Sequence, residues 1–191
     1  MKKLLSIILM LLAFKVNAAT ITLSNTETSL PIVTYTGKVV EEDTERFYKI
    51  TKNLNRAIVI LNSRGGDPDA ALKIGTIIHQ KNFITYVPDE TICASACALI
   101  WLSGAIRFME RTSAVGFHSA YYVDDLSPAN GENAITGAVL REWGLSYAAV
   151  YFVTNHTPPE IEWLTPRKAQ EAGIVYYYWS DFNRFKKPKS Q

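Results

Sequence analysis

Residues 57–61 read Ala-Ile-Val-Ile-Leu, an unbroken apolar run closed by Asn62-Ser63-Arg64-Gly65-Gly66-Asp67. A strand with one wet face alternates apolar and polar residues, whereas a strand covered on both faces does not need to. The run therefore predicts a strand of a parallel sheet, covered on both faces. The residues that follow supply a cover, because Ala71, Ile74, Ile77 and Ile78 recur at helical spacing over 68–82. The same strand, turn and helix order recurs along the chain without a strict sequence repeat, and an α/β class follows. Strands are expected over 19–23, 32–40, 56–61, 83–87, 106–109, 113–122 and 174–179. Helices are expected over 41–53, 68–82, 95–103, 134–154 and 165–172, with a polar surface loop over 124–133. At 191 residues and 48% apolar content, one domain over 19–191 is the comfortable solution.

The two ends carry a different composition. Lys2-Lys3, an apolar stretch from Leu4 to Phe14, and the small-residue exit Asn17-Ala18-Ala19 have the form of a secretory signal, with cleavage expected after Ala18. The apolar stretch is short for a bilayer span, so no stable membrane anchor is expected after processing. The mature chain is then expected in a periplasm or outside the cell. Lys186, Lys187 and Lys189 form a basic tail, but the formal charge of +2 is small and dispersed, which argues against nucleic acid as a partner.

The stretch Thr91-Ile92-Cys93-Ala94-Ser95-Ala96-Cys97-Ala98-Leu99-Ile100 passes from an apolar strand into an apolar helix with a hydroxyl at the junction. Ser95 there has two readings: an N-cap, worth about 1 kcal/mol over Ala, or a nucleophile set beside unpaired backbone N–H groups. The two cysteines, Cys93 and Cys97, bracket it. They pair as a disulfide if Cys93 lies before the helix begins, and otherwise act as small buried hydrophobes. Two thiols without nearby histidines make an incomplete ligand set, so neither a metal nor another cofactor is expected.

Upstream, the paired glycines allow close approach to a ligand; downstream, Gly116-Phe117-His118 places a histidine on a strand. A serine hydroxyl needs a base of near-neutral pKa, which histidine supplies, and N–H groups of Gly66 and Ala96 are candidates for an oxyanion hole. In combination, Leu61-Asn62-Ser63-Arg64-Gly65-Gly66, Ala94-Ser95-Ala96 and Gly116-Phe117-His118 resemble the proteolytic subunit of the Clp protease. The Cys93-to-Cys97 block resembles a group of exported, Clp-protease-like bacterial proteins. The resemblance runs from about Gly37 to Ile174. It implies a spiral of β-β-α units of the ClpP/crotonase type, and a Ser–His–Asp triad in which Ser95 is the nucleophile and His118 the general base.

The sequence departs from that pattern twice. Where the aspartate is expected, shortly before Trp163-Leu164, the chain offers Glu160 and Glu162, of which Glu160 is preferred; the structural alternative is that both are solvated carboxylates. Arg64 replaces the proline usual before the paired glycines. The resulting expectation is an exported serine peptidase that cleaves short or unfolded peptides through an acyl-enzyme without ATP. The rival is a non-catalytic binding or scaffold protein of the cell envelope. The aromatic residues of 134–154 and Tyr176-Tyr177-Tyr178 offer apolar surface for a homo-oligomer or for the core.

Overall fold

The computed structural model describes residues 18–24 and 30–184. The signal segment up to residue 17 and the basic tail from residue 185 lie outside the described residues. Six strands form the main sheet: β1 (Thr20–Ser24), β2 (Ile32–Thr36), β3 (Ile58–Asn62), β4 (Ile84–Val87), β6 (Ile106–Met109) and β9 (Tyr177–Tyr178), in the order β1-β2-β3-β4-β6-β9. From β2 to β9 every pairing is parallel, and β1 adds antiparallel to β2 at one edge. A second sheet has the order β5-β7-β8, from β5 (Ile92–Ala94), β7 (Ala114–Phe117) and β8 (Glu162–Trp163). Together with the helices this is a mixed α/β architecture.

The apolar run at β3 is covered on both faces, but unequally. Val59 and Leu61 are fully buried, whereas Ile58 and Ile60 are half-buried. Helix α2 (Pro68–Gln80) follows, started by Pro68 and by the Asp67 carboxylate, which accepts from the Ala70 N–H at 3.1 Å. Helix α3 (Ala96–Leu102) is buried on all sides, which explains why seven apolar residues occur there without a polar face. Helix α1 (Asp43–Thr51) is anchored differently: buried Asp43 accepts from the Tyr35 hydroxyl at 2.7 Å, the Val40 N–H at 3.1 Å and Arg46 Nη1 at 2.7 Å. Arg46 also donates to the Ala19 carbonyl at 2.8 Å, and Ala18 bridges Lys38, so the expected processing point borders the first strand.

Several elements depart from the sequence reading: the strand expected over 32–40 ends at Thr36, and a helix starts at Asn130, inside the loop expected over 124–133. The helix expected over 134–154 is two helices, α4 (Asn130–Glu142) and α5 (Tyr147–Thr154). Gly144 takes φ +83° and the Ser146 hydroxyl accepts from the Ala149 N–H at 3.0 Å, so a glycine stop and a serine start lie inside the apolar run. Trp143, at the end of α4, packs on Gly75 of α2, where a Cβ would lie 2.4 Å from its ring. The strand expected over 113–122 ends at Phe117, because the Ser119 N–H leaves the ladder for the His156 carbonyl at 2.7 Å. The segment between the helices expected over 134–154 and 165–172, for which no element is expected, contains β8, which pairs antiparallel with β7 through Gly116↔Trp163 and Phe117↔Glu162. The last strand is cut to Tyr177–Tyr178, since Trp179 opens α7 (Trp179–Arg184). Helix α6 (Pro166–Ala172) is ended by Gly173 as expected. No helix among the described residues is long and apolar enough to cross a membrane.

Candidate active site

The end of β3 is tied to β5 by Ser63 N–H to the Ile92 carbonyl at 2.8 Å and Ala94 N–H to the Ser63 carbonyl at 3.0 Å. This brings the double-glycine turn against the serine turn. Ser95 stands between β5 and α3 with φ +57° and ψ −127°, a region that residues bearing a Cβ rarely occupy. An N-cap residue ordinarily has an extended backbone and turns its side chain onto the first helical N–H groups. Ser95 does neither: its hydroxyl makes no capping bond, although its carbonyl starts the helix by accepting from the Ala98 N–H at 2.8 Å. The Ser95 side chain thus does not cap α3, and the residue lines a cavity. Its N–H donates to the Gly116 carbonyl at 2.8 Å, which fixes the turn to β7. Cys93 and Cys97 are joined by a disulfide, with Cα atoms 5.1 Å apart, across this residue.

Both glycines are required by close approach. A Cβ on Gly65 would lie 2.7 Å from the Ser95 Cβ and 2.7 Å from the Ala94 carbonyl oxygen; one on Gly66 would lie 2.1 Å from the Val39 carbonyl oxygen. Their φ angles, +99° and +147°, also favour glycine. The Gly65 N–H is taken by the Ser63 hydroxyl at 3.0 Å. The Gly66 and Ala96 N–H groups have no acceptor among the described hydrogen bonds, and both residues line the cavity with Ser95. Two unpaired donors beside a free hydroxyl form an arrangement suited to a developing oxyanion.

His118 follows the last residue of β7 and lines the same cavity. Its Nδ1 lies 2.8 Å from the Ser119 carbonyl oxygen. A carbonyl only accepts, so Nδ1 carries the proton and Nε2 of the neutral ring keeps its lone pair. The ring also packs against Tyr121, with centroids 5.4 Å apart. No hydrogen bond joins Ser95 to His118 in this structure.

Neither glutamate makes a side-chain hydrogen bond to His118 among the described residues. Glu160 is exposed, and no side-chain contact ties it to His118. Glu162, on β8 opposite Phe117, pairs through Oε2 with His156 Nε2 at 2.9 Å and through Oε1 with the Lys168 ammonium. The hydrogen bond from Lys168 chiefly, joined by the charges of Lys168 and His156, holds the Glu162 carboxyl below the ordinary carboxylate range against the opposing effect of burial. The orienting partner of His118 is thus a main-chain carbonyl. It is reached from Glu162 only through a chain of contacts: Glu162 holds His156, whose carbonyl accepts from the Ser119 N–H.

The cavity encloses about 860 Å³. Its apolar wall includes Leu99, Phe117, Val153 and Ile161, and Lys38, Arg64, Glu41 and Glu132 bring charges of both signs. Ser119, His156 and Lys168 were not legible in the sequence. A main-chain acceptor leaves no residue-type signal, and His156 and Lys168 meet only because β8 folds back onto β7. Among the described residues there is no cluster of histidine, cysteine or carboxylate side chains able to hold a metal ion.

No protein-family profile and no curated protein sequence matches the chain. Solved structures do. A serine-to-alanine mutant of the 1510-N membrane-bound stomatin-specific protease superposes with a TM-score of 0.60 at 19% identity, covering 80% of each chain. A lysine-to-alanine mutant of the same protease, in complex with a substrate peptide, gives 0.60 at 20% identity over 80% of this chain and 75% of that one. An asparagine-to-aspartate mutant of ClpP1 from Listeria monocytogenes gives 0.56 at 21% identity over 75% of this chain and 88% of that one. The chain therefore has a ClpP-like fold. At these identities the likeness concerns the fold alone.

Proposed function

We propose that this protein is a serine peptidase in which Ser95 attacks the peptide carbonyl and His118 serves as general base. The observation that carries the reading is the state of Ser95: a helix-start serine in an unfavourable backbone region whose hydroxyl caps nothing and opens, beside two unpaired N–H groups, into a cavity shared with a histidine. In the proposed cycle His118 Nε2 accepts the Ser95 proton as Oγ bonds to the carbonyl carbon. The Gly66 and Ala96 N–H groups receive the oxyanion, and the imidazolium then delivers its proton to the leaving amine. Water activated by the same nitrogen releases the acyl group from Ser95.

The Ser119 carbonyl supplies one of the two services that a triad carboxylate supplies. It sets the tautomer, but as a neutral dipole it stabilises the imidazolium less than a carboxylate. Peptides are the proposed substrates, consistent with the protease names of the structural neighbours. The signal-like N-terminus supports an exported, ATP-independent enzyme, and the fold is compatible with a homo-oligomer. The test is hydrolysis of an unfolded protein by the mature chain without nucleotide, followed by mass spectrometry of the products. Cleavage that disappears in Ser95→Ala and His118→Ala supports the reading; no cleavage, or cleavage unchanged in both variants, favours the binding or scaffold alternative.

A further inference from the structure

We propose that the Cys93–Cys97 disulfide is a positioning device for the nucleophile, so that Ser95 is presented to substrate only in the oxidised protein. This rests on Ser95 being the nucleophile. The bond runs from β5 to the second residue of α3, and it closes a short ring around Ser95. Within that ring Ser95 holds φ +57°, a conformation that persists only where the surroundings over-determine it. Its own side chain contributes nothing to holding it, because the hydroxyl makes no capping bond.

The competing conformation is defined by the same sequence. Serine is among the best N-cap residues, and the free N–H groups of the first turn of α3 lie directly after it. With the cross-link absent, the turn relaxes toward an extended φ, and Oγ turns onto the N–H of Cys97, which has no acceptor among the described hydrogen bonds. A capped serine is an unreactive one, since its oxygen is directed into the helix and away from His118. The cross-link thus selects between two local states of one residue, the capped and the presented.

Both cysteines are fully buried, so the bond is shielded from bulk thiols once the domain has closed over it. Forming it removes two electrons and two protons from the thiol pair, which pass to a disulfide oxidant that leaves as a dithiol; a dithiol reductant reverses the exchange. A chain that has not met an oxidant carries a latent serine. Export into an oxidising compartment then coincides with activation.

The experiment compares the labelling rate of the mature, oxidised protein by a fluorophosphonate with two other preparations. One is the same protein reduced by dithiothreitol in denaturant and refolded in its presence, its two free thiols confirmed by mass. The other is Cys93→Ala/Cys97→Ala. Thermal melting establishes that each is folded, and peptide hydrolysis separates kcat from KM. The expected result is labelling slowed about 10- to 100-fold in both folded preparations, with kcat reduced and KM unchanged, because the cavity wall is not altered. Equal labelling rates would overturn the inference. So would a loss of labelling that merely follows global unfolding in both preparations, since the pair would then be holding the domain and not the turn. Absence of labelling in the oxidised protein would instead count against Ser95 as the nucleophile, which keeps the two failures apart.

Discussion

The two sides of the cavity are held by different forces. On the nucleophile side, Ser95 is tied by a covalent cross-link, by its N–H to Gly116, and by a double-glycine turn with no room for a side chain. On the base side, β7 ends one residue before His118, and the imidazole rests on one main-chain carbonyl and a tyrosine ring. The serine is thus set in advance, while the histidine is seated by a single hydrogen bond and a ring contact. Hydrogen bonds between nucleophile and base are often long in free enzymes and tighten in the substrate complex, so this division of labour is compatible with catalysis.

The comparison is broken most severely at the serine. Ser95→Ala is expected to lower kcat/KM by about 10⁴-fold or more with no change in melting temperature, because it removes an oxygen that bonds to nothing. His118→Ala should cost about 10²- to 10⁴-fold in kcat, read from single-turnover kinetics on a peptide ester. Gly66→Ala should cost about 10²- to 10³-fold, since a Cβ 2.1 Å from the Val39 carbonyl must displace the N–H assigned to the oxyanion.

The base side gives smaller effects. Glu162→Gln should change neutral-pH activity by no more than about fivefold, because the paired groups are partly exposed and act on His118 only through His156 and Ser119. Its signature is in acid. The Glu162 carboxyl is held low in the folded protein, chiefly by Lys168, so its stabilisation is complete above the unfolded value of about 4.3 and is lost as pH falls through the lower, folded value. Melting curves of the glutamine variant should accordingly lose less stability than the parent over that acid range. Glu160→Gln should leave kcat/KM unchanged across the pH profile; a profile that lost its basic plateau would restore that glutamate as the orienting group.

What was legible in the sequence follows the same division. The buried strand at 57–61, the double glycine and the serine block announce themselves because each demands a residue type: β-branched and aliphatic side chains in a covered strand, glycine where a Cβ would collide, a small hydroxyl at a helix start. The base side depends on main-chain groups and on a short return strand. Glu162 was visible as a carboxylate of suitable position, but its partners were not, because pairing with His156 and Lys168 is decided by the register of β8 on β7. The break at Gly144 and Ser146 was hidden by the continuous apolar character of the residues around it, although the glycine stop and serine start are both present. Apolar pattern outweighed punctuation there, and in the structure the punctuation decides.

The central claim is that Ser95 is a presented nucleophile and not a cap. Reaction of the oxidised mature protein with a fluorophosphonate, followed by digestion and mass mapping of the adduct, addresses it directly. The account predicts a single phosphonylated serine at position 95, formed at a rate that falls sharply in His118→Ala; a folded protein that acquires no adduct, or acquires it at another residue, would contradict it.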